Sequence, residues 1–333
     1  MKALFSHVTD VICENGTYRP IRFTQKQIAG LQAIQPIFGD AARRATGVSL
    51  CFYTRAEEIS FRFSTACTNN RPNGFDVYEN GVMRAMIPLA PTETEGTFRY
   101  AKETAGETKL EIYLPSNVEM VLWDLQLGEY RVAEQPEETV LFYGDSLVQS
   151  IYIQNPSFSY ATLLSQMKGF QHINRGIGSL FFADSWLDED DPVKPSQIVV
   201  MYGANDLVKH NTAGQVVYQD DKAVFCTEAD IPELMQNAER FLKKLQKIYP
   251  EAKLHVLTRV YSAVEMDRSR AETQVAYNRA LTALCEQLGL HCIDGDRLIP
   301  HIPDCRVEDR EHFNELGNAL LALALAKQIH EKR

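Results

Sequence analysis

Four short stretches of this chain carry residue types that together could attack a carbonyl. Tyr143-Gly144-Asp145-Ser146-Leu147-Val148 sets a serine hydroxyl beside a glycine that lets the chain turn. Such a hydroxyl is a weak nucleophile at neutral pH and needs a base. Asp309-Arg310-Glu311-His312-Phe313-Asn314 places a carboxylate three residues before a histidine, so that Asp309 can hold the ring by its Nδ1 hydrogen while Nε2 faces a hydroxyl. Gly203-Ala204-Asn205-Asp206 offers an amide side chain, and Asn174-Arg175-Gly176-Ile177-Gly178-Ser179 an open, glycine-containing backbone. Both are candidate donors to the oxyanion of a tetrahedral intermediate. The chemistry these parts suit is acyl transfer through an acyl-serine.

Neighbouring residues take plainer readings. Asp145 reads as a hydrogen-bonding brace for the serine turn, and Asp206 as a loop-bracing or capping carboxylate. Phe181, Phe182 and Trp186 are candidates for lining an acyl or sugar pocket, with core or lid positions as the alternative. His210, four residues after Asp206, is a histidine that invites a metal reading. The others (7, 172, 255, 291, 301 and 330) form no ligand spacing, so neither a metal nor a cofactor is expected.

Positioning these groups requires strands that end on a common rim. After the acidic stretch Ala133-Glu134-Gln135-Pro136-Glu137-Glu138, short continuous apolar runs alternate with helical segments, which predicts parallel strands with helices on both faces. The strands are Val140 to Tyr143, Phe170 to Ile173, Ile198 to Tyr202, Leu254 to Thr258 and His291 to Ile293. Leu234, Ala238, Phe241, Leu245 and Ile248 recur at helical spacing behind Asp230 and Pro232. Tyr277, Leu281, Leu284 and Leu288 do the same and stop at Gly289, and a last helix runs from Glu315 to about His330. In such a sheet ligands bind at the carboxyl ends of the strands, where the first three stretches fall.

The first half reads differently. Between about Gly47 and Leu127 apolar and polar residues alternate, as in Ile59, Phe61 and Phe63 or Val121, Trp123 and Leu125. Turn-forming clusters such as Asn69-Asn70-Arg71-Pro72-Asn73-Gly74 and Glu79-Asn80-Gly81 separate the runs. This predicts an antiparallel β-sandwich over 1–133, joined by the linker near 133–138 to an α/β domain over 138–333.

Taken in order, the four stretches resemble the motif blocks of SGNH or GDSL hydrolases. Each block alone is weak; the ordered set, at three strand exits and ahead of the last helix, is specific. The resemblance covers roughly 138–330 and implies a flavodoxin-like, three-layer fold. It further implies Ser146 as nucleophile, His312 as base and Asp309 as its orienter. The oxyanion hole would be formed by the Ser146 N–H, the backbone at Gly178 or Ser179, and Asn205 Nδ2. Where many relatives have glycine five residues after the second-block asparagine, this chain has Ser179, whose backbone can still donate. Gly74-Phe75-Asp76-Val77-Tyr78 is similar to the GxDLY signature of a jelly-roll-like β-sandwich found ahead of some SGNH domains, an arrangement seen in esterases acting on acylated carbohydrates.

Composition narrows the partners. Lys and Arg number 34 against 44 Asp and Glu, a formal charge of −10 with no basic run. Such a surface repels phosphate backbones and anionic lipid, so neither nucleic acid nor membrane is an expected partner. Seven scattered cysteines without paired spacing read as reduced thiols. With no signal-peptide pattern at the first residues and Ala319 to Ala326 too short to cross a bilayer, a cytoplasmic location is expected. The expected substrate is a small acyl ester, above all an acetyl group on a sugar or oligosaccharide. An acyl-thioester hydrolase or transacylase using the same triad, and a non-catalytic carbohydrate-binding protein, are the alternatives.

Overall fold

The computed structural model describes residues 1–66, 73–90, 92–211, 214–264 and 266–329. The turn expected over Asn69–Pro72 and the thiol of Cys67 lie outside the described residues, and the last helix, expected to run to about His330, ends earlier, at Leu325.

The first half contains β1 (Phe5–Ser6), β2 (Asp10–Glu14) and β3 (Thr17–Ile21), then α1 (Gln25–Ile34) and α2 (Pro36–Arg43). After these come β4 (Ser49–Thr54), β5 (Glu58–Ala66), β6 (Gly74–Glu79), β7 (Val82–Pro88), β8 (Glu95–Ala101), β9 (Thr108–Tyr113), β10 (Glu119–Gln126) and β11 (Tyr130–Val132). The strands form two antiparallel sheets, one in the order β1-β4-β9-β6-β7 with β11 on β4, the other β2-β3-β10-β5-β8. The alternation in sequence faces one set of side chains inward. Ile59, Phe61 and Phe63 of β5 meet Phe75, Phe98 and Leu122 in a shared core, while Ser60 and Arg62 face out. This is the expected sandwich.

The second half contains β12 (Thr139–Gly144), α3 (Ser146–Gln149), α4 (Tyr160–Lys168), β13 (Gln171–Gly176), β14 (Gln197–Met201), the small hairpin β15 (Tyr218–Gln219) and β16 (Lys222–Ala223), α5 (Ile231–Ile248), β17 (Lys253–Leu257), α6 (Arg268–Leu288), β18 (His291–Ile293) and α7 (Glu315–Leu325). The parallel sheet runs β13-β12-β14-β17-β18, which in order of appearance is 2-1-3-4-5, the flavodoxin-like arrangement. The central strands β12 and β14 are buried on both faces, which is why they read as unbroken apolar runs. Leu141, Tyr143, Ile198 and Val200 face α5 and α6. Val140, Phe142, Val199 and Met201 face α4 and α7.

Two helices come from an unexpected place. α1 and α2 precede most of the sandwich strands in sequence, yet Phe23, Ile28, Leu31 and Phe38 join the core that contains Leu141, Trp186 and Phe241. Arg22, wholly buried, fixes this segment. Its Nε donates to Arg44 O at 2.7 Å and its Nη2 to Ala41 O at 3.0 Å, while Nη1 reaches Asn174 O on β13. A buried guanidinium so fully engaged with carbonyls avoids much of the cost of losing water. Among the described residues no helix is long and apolar enough to cross a membrane.

Candidate active site

The site forms where the strand order reverses, between the ends of β12 and β14, the switch point at which open α/β sheets hold ligands. β12 ends at Gly144 because nothing larger fits: a Cβ there would stand 2.1 Å from Val148 Cγ2 and 2.3 Å from Met201 O. The chain turns at once into α3, with Ser146 in its first turn. Asp145 caps that turn by accepting the Leu147 N–H at 2.9 Å. Gly176, at the end of β13, is likewise crowded by the backbone of Gln149 at 2.3 Å, so α3 lies directly on the strand. Asn174 ties the two together, donating from Nδ2 to Val148 O at 2.7 Å and accepting the Gly176 N–H at 2.9 Å.

Far along the chain, a turn just before α7 brings Asp309 and His312 to the same place. Ser146 Oγ lies 2.7 Å from His312 Nε2, and His312 Nδ1 lies 2.8 Å from Asp309 Oδ2. The other Asp309 oxygen accepts the N–H groups of Glu311 and His312 at 2.9 and 3.0 Å. Partial burial opposes ionisation of Asp309, but these hydrogen bonds from His312 and Glu311 outweigh it and hold the carboxyl below its ordinary value. The turn is braced from beneath. Glu311 pairs with Arg259 at 3.1 Å and accepts the Ser262 hydroxyl, and Arg306 donates to Glu311 O at 2.7 Å while its guanidinium lies 4.0 Å over the Phe313 ring.

Asn205 comes to the rim from the end of β14. Its Nδ2 is 3.4 Å from both Asp145 Oδ2 and Leu180 O. Those contacts are at the outer limit of a hydrogen bond and would yield to a better acceptor. Burial pushes the Asp145 carboxyl up to about 7 and that of Asp206 up to about 6. Asp206 points into the protein and accepts the Phe182 N–H at 2.9 Å, a loop brace.

In the second block, Gly178 and Ser179 do not stand equally. The Gly178 N–H is taken by Gln149 Oε1 at 2.7 Å, whereas Ser179 sits in the left-handed region at φ +65°. Of the three aromatic candidates, Phe182 and Trp186 are only 2% and 1% exposed and pack on Phe241 within the core. Both take the core position that the sequence left open beside the pocket-wall reading, packed against Phe241 of α5. Phe181 alone is partly exposed, its ring 4.5 Å from His210.

Two neighbours escaped the sequence reading. Gln149, one helical turn after Ser146, could have been flagged by its spacing. Tyr152, whose ring packs 4.4 Å from that of His312, gave no signal, since 160 residues separate the two.

A three-layer α/β fold with a serine, an imidazole and a carboxylate aligned at its switch point is the architecture of a serine hydrolase. The family model of GDSL-like lipases and acylhydrolases matches residues 142–320; the chain belongs to that family and is a serine ester hydrolase by class. No curated protein sequence matches it. Among solved structures it is similar to a salicylyl-acyltransferase from a tetracycline biosynthetic pathway, with TM-score 0.76 and 16% identity over 96% of this chain and 92% of that one. It is also similar to a GDSL-like lipase from Bacteroides ovatus (TM-score 0.71, 17% identity, 100% and 99% covered). A family two carbohydrate esterase from Cellvibrio japonicus gives TM-score 0.62 at 14% identity, with 98% and 94% covered. At such identities the likeness establishes the shared fold across both halves.

Proposed function

We propose that the protein hydrolyses small carboxylic esters, most fittingly acetyl groups on a sugar or short oligosaccharide, with Ser146 as nucleophile. The observation that carries this reading is the unbroken chain from Ser146 Oγ through His312 to Asp309, at 2.7 and 2.8 Å. In the first half-reaction Oγ bonds to the ester carbon as its proton passes to His312 Nε2. The carbonyl oxygen becomes an oxyanion facing the Ser146 and Ser179 N–H groups and Asn205 Nδ2. Collapse breaks the bond to the alcohol oxygen, which leaves with the proton from Nε2. Water then repeats the sequence on the acyl-serine, releasing the acid and restoring the hydroxyl. Asp309 fixes the ring tautomer and offsets the charge of the imidazolium.

The sugar reading draws on the sandwich ahead of the hydrolase fold, the arrangement of the carbohydrate esterase from Cellvibrio japonicus. Transfer of the acyl group to an alcohol instead of water is the second reading, supported by the likeness to a protein described as an acyltransferase. Ser146→Ala tests the assignment. Turnover of p-nitrophenyl acetate should fall by at least about 10³-fold with the fold intact, and an undiminished rate would end it. Acetylated methyl xyloside against acyl-CoA then separates sugar ester from thioester substrates, because a narrow pocket rejects long or bulky groups steeply.

A further inference from the structure

Behind the ring of His312 lies a cleft that neither half of the molecule forms alone. Tyr152, packed on the imidazole at 4.4 Å, also lines a cavity of about 260 Å³. One wall is the segment 151–154 of the α/β half, and the other is built by Met86, Pro88 and Leu89 at the edge of the sandwich.

The first wall is held in place largely by the sandwich. Asp76, fully buried on β6, accepts from Asn155 Nδ2 at 2.9 Å, from the Ser157 N–H at 3.0 Å and from the Ser157 hydroxyl at 2.6 Å. Tyr78 joins the same hydroxyl at 2.9 Å, and Asn117 Nδ2 donates to Ile151 O at 2.9 Å. From the opposite side Glu315 accepts the Gln154 N–H at 2.8 Å. A backbone anchored at so many points keeps its shape and leaves the cavity open. Its volume is close to the lower end of ordinary small-molecule sites.

Chemistry decides which part of an ester would enter. The imidazole that takes the serine proton must hand it to the departing oxygen, so the alcohol half lies on the imidazole side of the carbonyl and away from the oxyanion donors. Tyr152 links the cleft to that imidazole, since it packs on the ring and lines the cavity. We propose that it is the subsite for the alcohol half of the ester. The occupant is a ring-sized alcohol with an apolar face, such as the C–H face of a pyranose, set against Tyr152, Met86 and Leu89. The exposed Gln154 amide stands at the rim for hydroxyl groups. The inference rests on the roles given above to Ser146 and His312.

The test holds the acyl group constant and varies the alcohol. kcat/KM is measured for ethyl acetate and 2-phenylethyl acetate, whose leaving alcohols are similarly basic. The wild type should favour the larger ester by about tenfold or more, the scale of discrimination an apolar pocket provides. Met86 is exposed on β7, the end strand of its sheet, so Met86→Trp fills the cleft from a tolerant position. It should lower kcat/KM for the larger ester about tenfold, mostly through KM, and so bring the ratio of the two esters towards one. Met86→Lys, which sets a charge in the same wall, should act in the same direction and covers the case in which the tryptophan variant misfolds. Equal rates on both esters in the wild type, or an unchanged ratio in a folded variant, would overturn the cleft as subsite. Persistent turnover of both esters by Ser146→Ala would overturn the catalytic assignment instead.

Discussion

Gln149 Oε1 accepts the N–H of Gly178 at 2.7 Å, so the helix that begins with Ser146 is stitched to the loop that must face it. This bond occupies one of the two backbone donors that the second block could offer an oxyanion. On the proposed mechanism the donor is therefore the N–H of Ser179, whose φ of +65° suits glycine better than serine. Ser179→Gly should raise stability by up to about 1 kcal/mol and leave kcat within about threefold. Urea unfolding together with steady-state kinetics checks both; a large fall in kcat would mean that the hydroxyl itself takes part.

Asn205 Nδ2 holds its present partners only at 3.4 Å, which leaves the amide ready for a charged acceptor. Asn205→Ala is expected to lower kcat by about 10²- to 10³-fold with little change in KM, the usual effect of losing one oxyanion donor. A loss confined to KM would place the amide on the ground-state substrate.

The buried Asp145 carboxyl gives a stability test. Its pKa is 3.8 in the unfolded chain and is raised to about 7 in the folded one. Between those values the folded state binds more protons, so this group's contribution is complete below the lower value and is lost as pH rises through the upper one. Asp145→Asn removes the titration. The stability of the variant relative to the wild type should therefore grow with pH, by on the order of 1 kcal/mol per pH unit between about pH 4 and about pH 7, and then level off. Urea melts at several pH values decide it, and a pH-independent difference would refute the assignment.

Asp76 lies in the sandwich yet should matter to turnover. Asp76→Ala strands three donors on Asn155 and Ser157, which is expected to cost about 1–3 kcal/mol. It also loosens the segment carrying Tyr152, so kcat/KM for p-nitrophenyl acetate should fall even where the variant remains folded. If activity per folded molecule is unchanged, the segment does not position His312.

Much of this was readable from sequence because it depends on local pattern. Strand β18 begins and ends at His291 and Ile293 as expected, and α6 stops at Gly289 in the left-handed conformation. The sandwich followed from alternation, and the four loops from their place at strand exits and ahead of the last helix. What stayed hidden was what depends on distant contact. α1 and α2 carry local signals, with Thr24 and Gln27 forming a capping box ahead of α1, but nothing in their own residues says which core receives them. Phe182 and Trp186 could not be told from pocket residues, because large aromatic side chains suit a core and a binding site equally. The same limit applies to Asp230. It precedes α5 as expected, yet its carboxylate turns back to Thr227 N–H at 2.7 Å, so the helix itself begins without a side-chain cap.

The buried stripe of Phe23, Ile28, Leu31 and Phe38 beneath the hydrolase sheet bears on any attempt to work with pieces of this protein. Cutting at the proline-containing connector and expressing the C-terminal piece alone would bare a greasy patch around Trp186 and Phe181. Such a fragment should precipitate or recruit the missing helices in trans, so the chain has to be made, purified and engineered as one indivisible polypeptide.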